Sequence, residues 1–315
     1  MSSRDETITL TETSTARGNR EPSRVALGFA FLSTWIVWGS TYLAIRFAVE
    51  TIPPFVTAGV RHFTAGSILF AYSYLRGFRP KPRHWLGALI VGAFYFLGGH
   101  GLLHWAERLV SSGLSAVLMA TEPMIISTIL ICMGKERFSF WTLLGMACGI
   151  GGVIFLMGGQ GLTEHGHMLG VGALIASSIS WSVGVCYSPR AGLPEDPFAS
   201  AAMTMLCGSA LLLTTAGLTG EFAPAQLNHI ALRSVLGLLF LIIFGSVIAF
   251  SAYVWLLGHV SPTMVSTHTF VNPVVAVLLG WGLAGEALSA RLVVAMLAIL
   301  GSIAFIRMGT RKPAH

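Results

Sequence analysis

The sequence predicts an all-α integral membrane protein. It reads as ten transmembrane helices, arranged as two inverted five-helix repeats with N- and C-termini cytoplasmic. Three observations predict this: the composition, an internal repeat and the placement of basic residues. Of the 315 residues, 54% are hydrophobic and only 10% charged, with a mean hydropathy of +0.74. Soluble domains carry about 25% charge, so this chain lacks the polar surface to dissolve as a globule. The repeat is carried by residues 83–159, whose pattern returns at 233–309 with a constant offset. Arg83, Leu86, Gly87, Leu89, Phe94, Trp105, Val110, Ser111, Pro123, Glu136, Ser139, Met146, Gly151, Phe155 and Gly159 all recur. Such self-similarity marks a duplicated structural unit. Earlier in each half, Trp38 matches Trp181, Pro54-Phe55 matches Pro197-Phe198 and Ala58 matches Ala201.

A hydrocarbon core of about 30 Å requires about 20 apolar residues per helix, with every backbone polar group bonded inside the span. The first half supplies segments 1 to 5 at Val25 to Val49, Pro54 to Leu75, His84 to Ala106, Leu109 to Met133 and Ser139 to Gly158. The second half supplies segments 6 to 10 at Leu169 to Ser188, Asp196 to Thr219, Leu232 to Leu257, Ser261 to Ala284 and Ser289 to Met308. None alternates every other residue, as strands of a membrane barrel would. The organisation follows: a cytoplasmic tail at 1–24, a first repeat at 25–158, a periplasmic linker at 159–168, a second repeat at 169–308 and a tail at 309–315.

Cytoplasmic loops concentrate Lys and Arg. With the N-terminus inside, fourteen basic residues fall on the cytoplasmic side, against Arg46, Arg108, Arg233 and Arg291 outside, while Arg61 lies within a span. The net charge of +6 is thus a topology signal towards anionic headgroups and implies no nucleic-acid partner. Because five is odd, the second repeat crosses in the opposite sense to the first. In secondary carriers that arrangement puts a site near the midplane between the halves, exposed to each side in turn.

The order and repetition of several short motifs resemble the ten-helix EamA family of the drug/metabolite transporter superfamily. They are Trp38-Gly39-Ser40, Arg61-His62-Phe63, the Pro123 and Pro273 segments, Glu136-Arg137-Phe138-Ser139 and Gly285-Glu286-Ala287-Leu288-Ser289. The resemblance covers about residues 25–308. It implies an inner-membrane carrier, usually an exporter of amino acids or related metabolites, with a cavity between segments 1–4 and 6–9 and with segments 5 and 10 outside. The small four-helix multidrug relatives carry a carboxylate in their first helix; Ser33 to Ile45 has none, so their coupling scheme does not transfer.

Candidate binding residues follow from helical spacing. Trp35, Trp38 and Tyr42 lie at i, i+3 and i+7, a stripe able to stack a planar or cationic solute or to pack against a neighbouring helix. Trp181 echoes Trp38 in segment 6, and Tyr253 in segment 8 joins the set. Glu122 sits about 13 residues into segment 4, about 20 Å down. A charged carboxylate at mid-bilayer costs about 2.5–3.5 kcal/mol, so Glu122 is expected to face protein or water, as a proton-coupling group or as a protonated structural acid. Pro123 and Pro273 each remove a backbone donor and free a carbonyl four residues back, which suits a gate or a fixed bend. His268 and Asn272 share a face of segment 9. Arg61, beside His62, is suited to a solute carboxylate, or to tying helices together. His100, His104 and Glu107 share a face of segment 3; Tyr95, Phe96 and His100 there suggest an aromatic cavity wall, with a membrane metal enzyme as the alternative.

Cys132, Cys148, Cys186 and Cys207 lie in apolar runs without metal spacing. No cofactor is implied, and no Gly-x-x-x-x-Gly-Lys-Ser/Thr loop appears, so gradients supply the energy. The partners expected are a small-molecule substrate and the lipid bilayer. The small residues Gly145, Gly149, Gly151, Gly152 and Gly301 allow either a homodimer through helices 5 and 10 or packing of each helix against its own half.

Overall fold

A computed structural model describes residues 23–134, 139–157, 165–257, 259–260, 265 and 268–310. The motif residues Glu136, Arg137 and Phe138, most of the 159–168 linker and most of both tails lie outside the described residues. The described chain is helical, with no strand among the described residues. Helix α1 spans Arg24–Ala48, α2 Pro54–Leu75, α3 Pro82–Ala106, α4 Ser112–Cys132 and α5 Phe140–Met157. In the second half, α6 spans His165–Tyr187, α7 Pro197–Leu218, α8 232–257, α9 His268–Ala284 and α10 Ala290–Thr310. Six of the described helices, α1, α3, α4, α6, α7 and α8, are long and apolar enough to cross a bilayer, and α5, α9 and α10 contain shorter apolar stretches. The 22-residue α2 carries Arg61 and His62.

Matching residues start and stop matching helices. Pro54 and Pro197 both occupy the first turn, where the missing amide hydrogen costs nothing, and Asp196 caps α7 by accepting from Ala199 N at 2.6 Å. After each helix comes a glycine with positive φ, Gly77 at 95° and Gly220 at 76°, a conformation that side chains with a Cβ resist. A four-residue helical turn, Pro224–Leu227, occupies the insertion that lengthens the second half.

The helix pairs in contact repeat when the halves are exchanged. The pair α1/α8 has its counterpart in α6/α3, α1/α9 in α6/α4, and α2/α8 in α7/α3, while α2/α7 and α5/α10 map onto themselves. These contacts join one half to the other, so the halves are interlocked. The apolar core that results draws Ile45, Val117, Leu174, Leu241, Val277 and Ile299 from six different helices.

Three stretches widen into π-helical turns: Ser33–Val37 in α1, Ala93–Gly101 in α3 and Leu241–Ile248 in α8. The latter two are repeat mates. Helix α4 breaks at Ala120 and Thr121, giving Ser112–Met119 followed by Glu122–Cys132 with Pro123 in its first turn. Pro273, by contrast, sits inside the continuous α9. The two prolines therefore do not make the same local structure.

Gly145 and Gly149 of α5 pack inside the chain. A Cβ at Gly145 would lie 2.7 Å from Ile306 Cγ1 of α10, and one at Gly149 2.8 Å from Met124 Sδ of α4 in its own half and 3.0 Å from Ser302 Oγ of α10. Gly151 and Gly301 face open space. All four cysteines are free.

Candidate functional site

Widening a helix to i→i+5 bonding displaces carbonyls from regular ladder geometry, a feature that recurs at functional sites. Here side chains of neighbouring helices take up such carbonyls. Trp38 Nε1 in α1 donates to Gly245 O in α8 at 3.0 Å. Ser180 Oγ and Ser177 Oγ in α6 donate to Phe94 O and Gly99 O in α3 at 2.8 and 2.7 Å. The Asn272 amide nitrogen, assigned from the acceptors around it, donates to Trp35 O at 3.0 Å, Thr34 O at 3.3 Å and His268 O at 3.1 Å.

Two aromatic nests form around these contacts. In the first, the Trp38 ring lies 5.1 Å from Tyr253 and 5.0 Å from His268 in an edge-on arrangement, with Tyr253 and His268 6.0 Å apart. In the second, Trp181 stacks on Tyr95 at 4.4 Å and on His100 at 5.3 Å. His62 from α2 closes it, 4.4 Å from Phe96 and with Nε2 3.0 Å from His100 Nδ1. Trp38 and Trp181 are repeat mates, and each anchors its nest against a π-helical stretch of the opposite half. The structure thus joins Trp38, Tyr253, His268 and Asn272 in one group, and His62, Tyr95, His100 and Trp181 in another.

The remaining candidates sit around these groups. Trp35 lies within the π-helical turn and packs 5.4 Å from Phe31, so the wider turn alters its angular offset from Trp38. Tyr42 packs against the main apolar core. Arg61 is buried, its Nε donating to Ser246 Oγ in α8 at 2.9 Å while Nη1 meets no acceptor in the protein. Glu122 opens the second half of α4, beside Pro123; its backbone carbonyl accepts from Ser182 Oγ at 3.4 Å, and its side chain is part-exposed. All eight residues of Ser112–Met119 are buried, but only Ser127 is buried in the stretch from Glu122 to Cys132.

At the other end of the molecule, the α9–α10 turn reaches across to α4. Glu286 Oε1 accepts from Ser112 N at 2.7 Å and Ser112 Oγ at 2.8 Å, and Oε2 accepts from Gly113 N at 3.1 Å. Positive φ at Gly285 (66°) turns the chain so that the carboxylate faces the first turn of α4. A polar cavity of about 300 Å³ opens beside it, lined by Arg46, Glu50, Ser111, His167, Arg233 and Glu286 among others. Just inside, Glu107 is wholly buried, and Arg46 Nη1 donates to its backbone carbonyl.

Sequence reasoning missed Ser177, Ser180, Ser246 and Glu286. A signal existed for some: the polar run Ser177-Ser178-Ile179-Ser180-Trp181-Ser182 is unusual inside an apolar span, and Glu286 is the repeat mate of Glu136. Among the described residues no group of three or more His, Cys, Asp or Glu is placed to hold a metal ion.

Comparison with known proteins places this geometry in context. The model of the EamA-like transporter family matches twice, at residues 26–158 and 168–308. The inner membrane transporter YedA of Escherichia coli K12, itself uncharacterized, is 37% identical over 283 residues, spanning 89% of this chain and 90% of that protein. Protein PagO of Salmonella typhimurium is 25% identical over 271 residues, spanning 84% and 88%. One solved crystal structure shares the fold with a TM-score of 0.63 and 22% identity, covering 92% of this chain and 99% of that one.

Proposed function

The chain belongs to the EamA-like transporter family and is a multi-pass inner-membrane transporter, and from that premise we propose that it is a secondary carrier exporting small amphipathic metabolites, amino acids or related compounds, by alternating access. The observation that carries the reading is the pair of aromatic nests, at Trp38 and Trp181, held by matching helices of the two halves. Tryptophan, tyrosine and imidazole faces stack planar or cationic groups, and Arg61 between them offers a buried guanidinium for a carboxylate. A zwitterion presents both. Ten crossings, with 25–158 and 169–308 as oppositely oriented repeats and both termini cytoplasmic, provide the two-fold frame for such a site.

In this reading the outer side is the closed one. Glu286 holds the α9–α10 turn on the first turn of α4, and Ser112–Met119 is buried, whereas the half of α4 beginning at Glu122 is more open. Pro123 and Pro273 act as the gating positions, and Glu122 exchanges a proton with the inner side as solute leaves. No step forms a covalent bond, so the chain is a carrier and no enzyme.

The test is flux in vesicles reconstituted with the full chain, using a panel of labelled amino acids and organic cations, with and without a pH gradient. Movement of an amino acid that falls at least about tenfold in Trp38→Ala and in Trp181→Ala is expected, because aromatic and cation–π contacts in a desolvated site contribute about 1–2 kcal/mol or more each. Flux of organic cations alone would make the chain a multidrug exporter. Flux of neither would overturn the reading.

A further inference from the structure

We propose that Glu107 and His104 form a proton-binding site at the outer end of the carrier, with the hydrogen-bonded pair His62 and His100 as a second station one turn deeper. The proposal rests on the transporter reading for its purpose, though not for its test. His100, His104 and Glu107 follow one face of α3 and its extension, and His104 and Glu107 are both 0% exposed.

The hydrogen bonds fix where protons can go. His104 Nδ1 lies 2.6 Å from His100 O, and a carbonyl only accepts, so Nδ1 carries the hydrogen. Its other nitrogen, Nε2, is then a bare lone pair; it is buried and meets no donor in the protein. The carboxyl group of Glu107 is in the same condition: neither oxygen has a protein partner, because Arg46 binds the backbone carbonyl and not the carboxylate. Deeper in, His62 Nε2 and His100 Nδ1 share a single hydrogen at 3.0 Å, which leaves His62 Nδ1 buried and unpartnered. A buried polar atom with no partner is costly and rare in native proteins. Several of them at adjacent acid and base groups, in a carrier, mark a place where protons arrive and leave.

Ionisable groups of three other elements face the site. Arg46 and Tyr42 of α1, Arg61 of α2 and Glu286 of the α9–α10 turn face Glu107, and Arg61 also faces the three imidazoles. From α6 the neighbours are Ser177 and Trp181, neither of them acidic. Burial pushes the Glu107 carboxyl well above the usual carboxylate range and Glu286 adds to this, while Arg46 and Arg61 oppose it. Arg46, which donates to the Glu107 backbone carbonyl, and Val110 also line the polar cavity that opens to the outer water. A proton from that water forms an O–H bond on Glu107 or an N–H bond on His104 Nε2, and its return breaks the same bond; nothing else is made or lost. Passage to the His62–His100 pair requires the His104 ring to turn, since its Nδ1 holds the His100 carbonyl in this state.

The experiment is infrared difference spectroscopy of the full chain in lipid vesicles while the pH is stepped. A protonated carboxyl band that titrates with pH is expected, and Glu107→Gln removes it. In His104→Gln the midpoint of that band moves by at least about one pH unit, the coupling characteristic of interacting sites. If Glu107→Gln fails to fold, Glu107→Asp keeps an ionisable group and is expected to shift the band. A spectrum indifferent to every Glu107 substitution, or a midpoint unmoved in His104→Gln, overturns the site. No solute takes part, so a chain that moves none of the panel compounds still gives the band if the site is right. Flux without the band would sink the site and leave the carrier standing.

Discussion

Replacing Glu286 by glutamine removes the charge from the carboxylate that joins the α9–α10 turn to α4. Three donors converge on it, at 2.7, 2.8 and 3.1 Å. A glutamine offers them one carbonyl oxygen and confronts the rest with an amide that also donates, so at least one charge-assisted bond is lost and the survivors weaken. Hydrogen bonds to charged groups contribute about 1.5–3 kcal/mol each, and the group is only part-buried, so the expected loss is about 2–3 kcal/mol. At about 1.4 kcal/mol per factor of ten, a population with this end open would rise roughly 30- to 140-fold. Val277, 4% exposed, packs beneath this contact, where a Cβ on Gly113 would lie 3.3 Å from its Cγ2. A cysteine at Val277, treated from the outer side with a membrane-impermeant maleimide, reads the opening directly. Labelling at least about tenfold faster in the Glu286→Gln background, after subtraction of the four native cysteines, is expected. An unchanged or slower rate would refute the idea that this carboxylate closes the outer end.

Further outcomes follow from other contacts. In Arg61→Gln, affinity for a carboxylate-bearing solute should fall at least about tenfold while that for a carboxylate-free cation holds; equal affinities in competition assays would remove the clamp. Glu122→Gln should flatten the pH dependence of flux, and an unaltered profile would take Glu122 out of the coupling. Gly145→Val forces a branched side chain against the backbone of Ser302 and Ile306 and should lower stability by about 1–3 kcal/mol. Gly151→Ala, with open space around it, should be neutral or slightly stabilising; thermal unfolding in detergent distinguishes the two, and equal midpoints would contradict the α5/α10 packing.

The helices were legible because a bilayer imposes length and apolarity on each span, and among the described residues most limits fall within a few residues of those predicted: Pro54–Leu75 matches, and Pro197–Leu218 departs by a residue at either end, while the predicted start of segment 9 at Ser261 lies outside the described residues. The candidate site was legible only in part. Trp38, Trp181, His62 and His100 stood out as aromatic or polar residues in apolar spans. The π-helical stretches did not, since widening by one residue per turn leaves no mark on composition and depends on donors from other helices, such as Trp38 for Gly245 and Ser180 for Phe94. Tertiary partners of that kind also explain why Ser246 and Glu286 were overlooked: each acts on a residue more than 170 positions away.

The interlocking of the halves has a consequence for biogenesis. The principal partner of α2 is α7, which begins 143 residues later in the chain. At about 5–20 residues per second of synthesis, α2 must wait roughly 7 to 30 s in the bilayer before its mate emerges. During that delay Arg61 has no Ser246 to hold it, for that hydroxyl is 185 residues downstream. Until then the Arg61 guanidinium sits in a first half that cannot yet satisfy its Nε donor through Ser246, so the finished contact forms only after most of the chain has been synthesised.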